Sequence, residues 1–373
     1  MNSFTHDSKA LFVDPFSYGI APDYYWISLI KNKVKSISYI GSYSTANSQY
    51  LNSLKSFCKS IYLYNISRSF GFSILSAYFN ILLMYSHLFI LCFRYELIIY
   101  RWLPIPIIDL IIIFFFRHKT IFICDNHIPH QGNRNSFLTI EKNSASYYLP
   151  HLLLIKLLNY IYFPSKYTLS KFRYLYPSNK CNFRICQHGI HGMFPYSSRR
   201  SFPNSVDFRK ILFWGVVQKY KGIDKLLQLS SALAINNPIS KLSLEIHGLW
   251  KPDLLTLKHE FINHRTYIND KFLTSDEIEN ILNSDSLFVL PYNSASQSGI
   301  LYTLLFYGCY FLSTDVGETG YLLKSYNLEY LLTDDFSYSN IINKISYITS
   351  NTREINYNLS RLRDSISWTF PLS

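Results

Sequence analysis

Two periodicities alternate along the second half of the chain. Short apolar runs, ILFWGVV at 211–217, LSLEIHG at 242–248 and SLFVLPY at 286–292, alternate with stretches whose apolar positions recur three and four residues apart, as in IDKLLQLSSALA at 223–234 and PDLLTLKHEF at 252–261. Continuous apolar runs bounded by turn residues fit strands covered on both faces, and the 3.6-residue spacing fits the helices that cover them. The rhythm continues with helices near Ser275–Asn283 and Gly299–Tyr307, a strand CYFLST at 309–314 and two closing helices. The first half repeats it less regularly, with strands expected at 11–14, 37–40, 60–64, 108–116, 120–126 and 160–164. The predicted class is α/β, with two doubly wound parallel sheets.

Periodicity stops at FPYSSRRSFPNSV, 194–206, where prolines, serines and two arginines cluster. That stretch reads as a linker between domains at 1–193 and 207–373, with the last helices free to pack back on the first. Two stretches of the first domain are unusually apolar. Phe70–Phe93 carries no Asp, Glu, Lys or Arg over 24 residues, and in Tyr148–Phe163 Lys156 is the only charge. Each fits either an aromatic-rich core helix or one lying in a bilayer interface.

Composition narrows the function classes. With 48% hydrophobic and 16% charged residues the chain is not disordered, and 373 residues suffice for two cores. The net charge of +12 calls for an anionic partner: nucleic acid, acidic lipid or a phosphorylated substrate. The basic residues are scattered and no RNP-like or zinc-finger pattern occurs, so nucleic acid is not expected. Six cysteines without a CxxC fit reduced thiols in a cytosolic protein, and the polar first 17 residues offer no secretory apolar region. The pairs His127/His130 and His188/His191 have HxxH spacing but no evident third ligand, so no metal is expected.

The segment LFWGVVQKYKGIDKLL, 212–227, joins a strand, a glycine turn, two lysines and a helix start. Its chemistry suits phosphate: Gly215 admits close backbone approach, Lys219 and Lys221 supply positive charge, and the helix N-terminus supplies free N–H groups. A second candidate is LPYNSASQSGILYTLLFYGCYFLSTDVGETG, 290–320, where a strand ends, a polar loop runs to Ser298 and Gly299, and a new helix opens. No P-loop, dinucleotide GxGxxG, HExxH or GxSxG pattern is present.

Together these segments resemble the C-terminal half of the nucleotide-sugar glycosyltransferases of family four, which have the two-domain GT-B fold. In that family a glycine-arginine and a later lysine-glycine hold the donor diphosphate; here Gly215, Lys221 and Gly222 match, and Val216 stands at the arginine position. Thr303 occupies the position of the glutamate that holds the donor ribose, and Ala295 that of its earlier partner. In the first half, ICDNHIPHQ at 123–131 resembles the family's acceptor-side loop, with Asp125 and His130 as candidates to orient an acceptor hydroxyl. The loop at 14–26 places Gly19 where GT-B enzymes approach the donor phosphates.

The resemblance implies transfer of a sugar, with retention of configuration, from a nucleotide-diphosphate donor to a polyprenyl-diphosphate-linked glycan. The setting it implies is O-antigen or capsule assembly, with the protein peripheral at the inner face of the cytoplasmic membrane and without cofactor or metal. Lys221 and the helix start at Ser298–Gly299 would stabilise the departing diphosphate. The missing arginine and glutamates support a competing expectation, a catalytically degenerate GT-B scaffold serving as a binding or complex-forming subunit.

Overall fold

The structure is a computed structural model that describes residues 6–15, 20–43, 48–66, 74–125, 145–177, 181–240, 242–264, 266–295 and 297–372. These residues fall into two compact units. The first holds those up to Asp125, those of 145–189, and the tail from Ser367; the second holds Ile190–Ile366.

In the first unit, strands β1 (Lys9–Asp14), β2 (Ser36–Ser42), β3 (Ser60–Tyr64), β4 (Leu97–Tyr100), β5 (Thr120–Ile123), β6 (Tyr160–Phe163) and β7 (Asn182–Ile185) form one sheet in the order β3-β2-β1-β4-β5-β6-β7. In the second, β8 (Lys210–Trp214), β9 (Ser243–His247), β10 (Tyr267–Asn269), β11 (Ser286–Leu290) and β12 (Phe311–Ser313) take the order β10-β9-β8-β11-β12. Every pairing in both sheets is parallel. The α/β class with two doubly wound sheets is the one the periodicity predicts. Strand order reverses between β1 and β4 and again between β8 and β11, and ligands of open parallel sheets bind at the carboxyl ends beside such reversals.

Alternation along the strands divides the first unit's core in two. Leu11, Val13, Ile98 and Tyr100 point into one cluster, beneath helices Ile74–Arg94, Pro106–Phe116, Ala145–Leu157 and Lys166–Leu175. Ala10, Phe12, Leu97 and Ile99 point into the other, beneath helices Ile20–Lys31 and Ser48–Leu54.

Several expectations are corrected. The run at 108–116 is not a strand but most of helix Pro106–Phe116, which buries Asp109, Ile112, Ile113 and Phe116 at helical spacing. Pro106 at its first turn is pre-set for helix, and the Asp109 carboxylate accepts the Ile105 N–H at 2.9 Å. The strand that fills this place in the sheet is the four-residue LIIY of β4. The stretch 194–206 is not a free linker: Phe194 and Phe202 are buried, and Phe202 packs into the second unit's core. Helices Gly317–Ser325, Tyr338–Ser350 and Thr352–Ser365 make three closing helices, and all belong to the second unit; only the tail beyond them joins the first, where Phe370 packs on Tyr162.

Asp109 generates a pH dependence. Its carboxylate is buried and accepts the hydroxyls of Tyr85, at 2.9 Å, and Tyr100. Burial outweighs those donors and pushes its pKa up to about 7. Between the ordinary value of 3.8 and about 7 the native state therefore binds more protons than the unfolded chain, and stability falls as pH rises across that window. Urea unfolding is expected to show a loss on the order of 2 kcal/mol from pH 5 to pH 7.5, and Asp109→Asn is expected to reduce that slope. Equal slopes in the two proteins would refute the assignment.

Candidate functional site

The reversal between β8 and β11 gathers the second unit's candidate residues. β8 runs into Gly215, whose φ of +124° is open to glycine, and its N–H donates to the His247 carbonyl at 2.9 Å. A 3₁₀ turn, Lys219–Lys221, follows and ends at Gly222, with φ of +72°. A Cβ at Gly222 would lie 1.7 Å from the Pro291 carbonyl oxygen, so only glycine lets the turn seat against the end of β11. Helix Ile223–Ser240 starts there.

Hydrogen bonds stitch this turn and the helix start after it to the loop after β11. The Asn293 N–H donates to the Tyr220 carbonyl at 2.7 Å, and the Asn293 side-chain amide donates to Asp224 Oδ1 at 3.1 Å. The stitching fixes Lys221, whose Nζ lies 5.9 Å from the centre of the Tyr292 ring. The same ammonium lies 2.9 Å from where a Cβ on Gly215 would stand. Gly215 thus makes room for the lysine head.

Lys221 is half-buried, and among the described residues no carboxylate forms an ion pair with it. Burial alone lowers its pKa to about 8. A desolvated cation without a counter-charge is costly, and an arriving anion recovers that cost.

Beside it, helix Gly299–Tyr307 opens. Its N-cap Ser298 is buried and makes no capping bond. The first N–H groups of the helix are left for an outside acceptor. A Cβ at Gly299 would meet nothing within 4 Å, so the space before this helix end is open. Ile300 closes the gap on the other side, its Cδ1 lying 3.1 Å from the Cβ position of Gly215. An ammonium seated against Gly215, open space at Gly299 and an uncapped helix N-terminus therefore converge, an arrangement suited to a diphosphate.

The structure thus brings together Gly215, Lys221, Ser298 and Gly299. Lys219 is exposed. Thr303 is buried, with its hydroxyl donating to the Gly299 carbonyl at 3.2 Å, so it is occupied by its own helix. Gly19 and His130 lie outside the described residues. Sequence reading missed Tyr292, Asn293 and Asp224, which hold the lysine in place. It also missed Glu318, buried, which accepts the Tyr302 hydroxyl at 2.9 Å; that hydroxyl in turn accepts the Gln297 amide at 3.0 Å, which braces the loop after β11.

Asp125 belongs to the first unit, at that sheet's own reversal. Its Oδ2 accepts Arg101 Nε at 2.7 Å, and the same guanidinium pairs with Asp23. Asp14, at the end of β1, adds a third buried carboxylate. Arg101 Cζ lies 5.1 Å and 5.4 Å from the ring centres of Trp26 and Trp102. Burial raises the pKa values of Asp23 and Asp125 against the pull of Arg101. Asp125 is held in one orientation with its side chain 10% exposed, which suits a group that orients a hydroxyl. Among the described residues no group of three His, Cys, Asp or Glu is placed to hold a metal, and His188 packs against Trp26 and Trp368.

No family model and no curated protein matches the sequence. Solved structures match along nearly the whole chain. Anabaena HepE in complex with UDP-glucose aligns at 13% identity, covering 98% of this chain and 96% of its own, with a TM-score of 0.67. WaaG, a glycosyltransferase involved in lipopolysaccharide biosynthesis, aligns at 12% identity over 95% of each chain, with a TM-score of 0.58. A UDP-N-acetylglucosamine 2-epimerase aligns at 10% identity, covering 96% of this chain and 91% of its own, with a TM-score of 0.56. At these identities the likeness is one of fold.

The depressed Lys221 pKa sets the pH behaviour of anion binding. The free protein carries the cation below about 8 and loses it above. Calorimetric affinity for pyrophosphate is expected to fall roughly tenfold from pH 7 to pH 9. Lys221→Met is expected to weaken binding at pH 7 by about 10- to 100-fold, the worth of a charge-assisted contact, and to flatten the profile. A wild-type affinity independent of pH would remove Lys221 from the site.

Proposed function

We propose that the protein is a glycosyltransferase that takes its sugar from a UDP-sugar and resembles the retaining nucleotide-sugar enzymes of family four. The observation that carries the reading is the desolvated ammonium of Lys221, which pairs with no acid among the described residues, beside the uncapped helix at Ser298–Gly299, both at the reversal point of one parallel sheet. The UDP and UDP-glucose complexes of HepE, a protein of the same fold, support uracil as the base.

In this reading the bond from the sugar's anomeric carbon to the β-phosphate oxygen breaks as one to the acceptor hydroxyl oxygen forms, the hydroxyl proton leaving with the released UDP, and the charge that builds on the diphosphate is met by Lys221 Nζ and the first N–H groups of helix Gly299–Tyr307. Those groups are fixed before the reaction by the Gly222–Pro291 contact and the Tyr220–Asn293 bond, so little reorganisation accompanies charge transfer. No metal is required for this neutralisation. Asp125, oriented by Arg101, positions the acceptor hydroxyl. A polyprenyl-diphosphate-linked glycan is the proposed acceptor, in cell-surface polysaccharide assembly at the cytoplasmic face of the membrane; WaaG, named for lipopolysaccharide biosynthesis, has the same fold.

The second reading, a binding subunit without turnover, is favoured by one observation: Thr303, at the ribose-holding position, spends its hydroxyl on Gly299.

Incubation of the protein with UDP-glucose, UDP-galactose and UDP-N-acetylglucosamine, with lipid-linked glycan extracted from membranes, separates the readings. A transferase is expected to release UDP only when acceptor is present and to form an axial linkage by NMR, with at least 100-fold less turnover in Lys221→Met. Tight UDP binding without release of UDP would leave the binding subunit. Acceptor-independent conversion of UDP-N-acetylglucosamine would instead indicate an epimerase.

A further inference from the structure

The first unit carries an apolar surface that its own core does not use. On helix Ile74–Arg94, Met84, Tyr85, Leu88, Leu91 and Cys92 are buried against the sheet. The opposite stripe, Phe79, Leu82, Leu83, Ile90 and Phe93, is exposed, with Phe79 at 62% and Phe93 at 68%. Ser86 is exposed within this stripe, whereas two other polar side chains of the helix are bonded at the end of β3: Asn80 donates to the Asn65 carbonyl at 2.8 Å, and His87 pairs with the Tyr64 hydroxyl. The usual arrangement of a surface helix is therefore reversed on its outer face.

Helix Pro106–Phe116 packs beside it and extends the surface with Ile107, Ile111, Phe114 and Phe115, all about half exposed or more. Phe89 and Phe115 bridge the two helices, with ring centres 5.9 Å apart. Helix Ala145–Leu157 packs on the far side and adds Leu149 and Leu152. Single exposed apolar residues are ordinary, but a contiguous face across three adjacent helices marks a binding surface.

The charges around this face decide what it binds. Arg94, Arg117 and Lys156 are exposed at its margin, and Arg117 Cζ lies 5.0 Å from the Phe114 ring centre. Among the described side chains of the three helices the only acid is Asp109, which is buried. Glu96, exposed beyond Arg94, is bonded to the Lys9 N–H at 2.7 Å. A second copy meeting this face across a two-fold axis would set bases against bases. An apolar face edged by cations is instead complementary to the interface of an anionic bilayer, where aromatic and aliphatic side chains enter the acyl boundary and Arg and Lys reach the headgroups.

We propose that helices Ile74–Arg94, Pro106–Phe116 and Ala145–Leu157 form a docking face for anionic phospholipid, on which the protein lies without crossing the membrane. Helix Ile74–Arg94 has the length and apolarity to span. Its buried face is fixed along the sheet, however, so it lies flat.

The inference goes beyond the transfer reaction and is tested apart from it. Full-length protein is sedimented with vesicles of phosphatidylcholine and phosphatidylglycerol in equal parts, and with vesicles of phosphatidylcholine alone. The protein is expected to partition onto the anionic vesicles at least tenfold more strongly. Phe79→Ser with Phe115→Ser, and separately Arg94→Gln with Arg117→Gln, are each expected to reduce partition about tenfold. UDP affinity and circular dichroism, read on the same samples, are expected to stay unchanged and would expose misfolding. The exposed pair Ile107→Ser and Ile111→Ser supplies a second apolar variant. Absence of vesicle binding, partition unaffected by both apolar variants, or a wild-type dimer that these variants dissociate would each overturn the proposal.

Discussion

The contact between Gly222 and the Pro291 carbonyl fixes the architecture of the candidate site. Parallel sheets leave a gap where crossovers depart in opposite directions, and in the second unit that gap lies between β8 and β11. Closing it requires two loops to touch through backbone alone, which a left-handed glycine permits and a Cβ would prevent. Once the turn is seated, the Tyr220 carbonyl meets Asn293, Asp224 meets the Asn293 amide, and the Lys221 ammonium is held over Gly215 beside Tyr292. The cost of leaving that cation desolvated falls on the free protein, and anion binding relieves it.

The first unit uses the same topological position for the opposite charge. Asp14, Arg101 and Asp125 follow or end β1, β4 and β5, and Asp23 joins from the first turn of helix Ile20–Lys31. Burial pushes Asp23 and Asp125 up against the pull of Arg101, and the nearby Asp14 carboxylate adds to the rise. One unit thus presents fixed carboxylates at its switch point and the other a fixed cation.

Much of the second unit was legible because its strands and helices alternate at regular lengths with glycine at the turns. The short β10, YIN at Tyr267–Asn269, was not, since three residues carry no period. The first unit was harder because IDLIIIFFF reads equally as strand or helix by apolarity alone; Pro106 and Asp109 were the signals that settle it. At the site, Gly215, Lys221 and Gly299 stood out through strand-glycine-helix order. Tyr292 and Asn293 did not, since their roles arise from packing between loops some 70 residues apart (Asp224 to Asn293). Thr303 was placed by register with a family pattern; its burial and its bond to Gly299 are tertiary facts that spacing does not contain. Arg101 was invisible for a similar reason, its acids coming from three other segments.

A crystal structure of the protein with UDP tests the central claim most directly. The account predicts the β-phosphate within hydrogen-bonding distance of both Lys221 Nζ and the N–H groups that open helix Gly299–Tyr307, with the α-phosphate over Gly215. A diphosphate bound elsewhere, or one that leaves Lys221 without a phosphate contact, would contradict it.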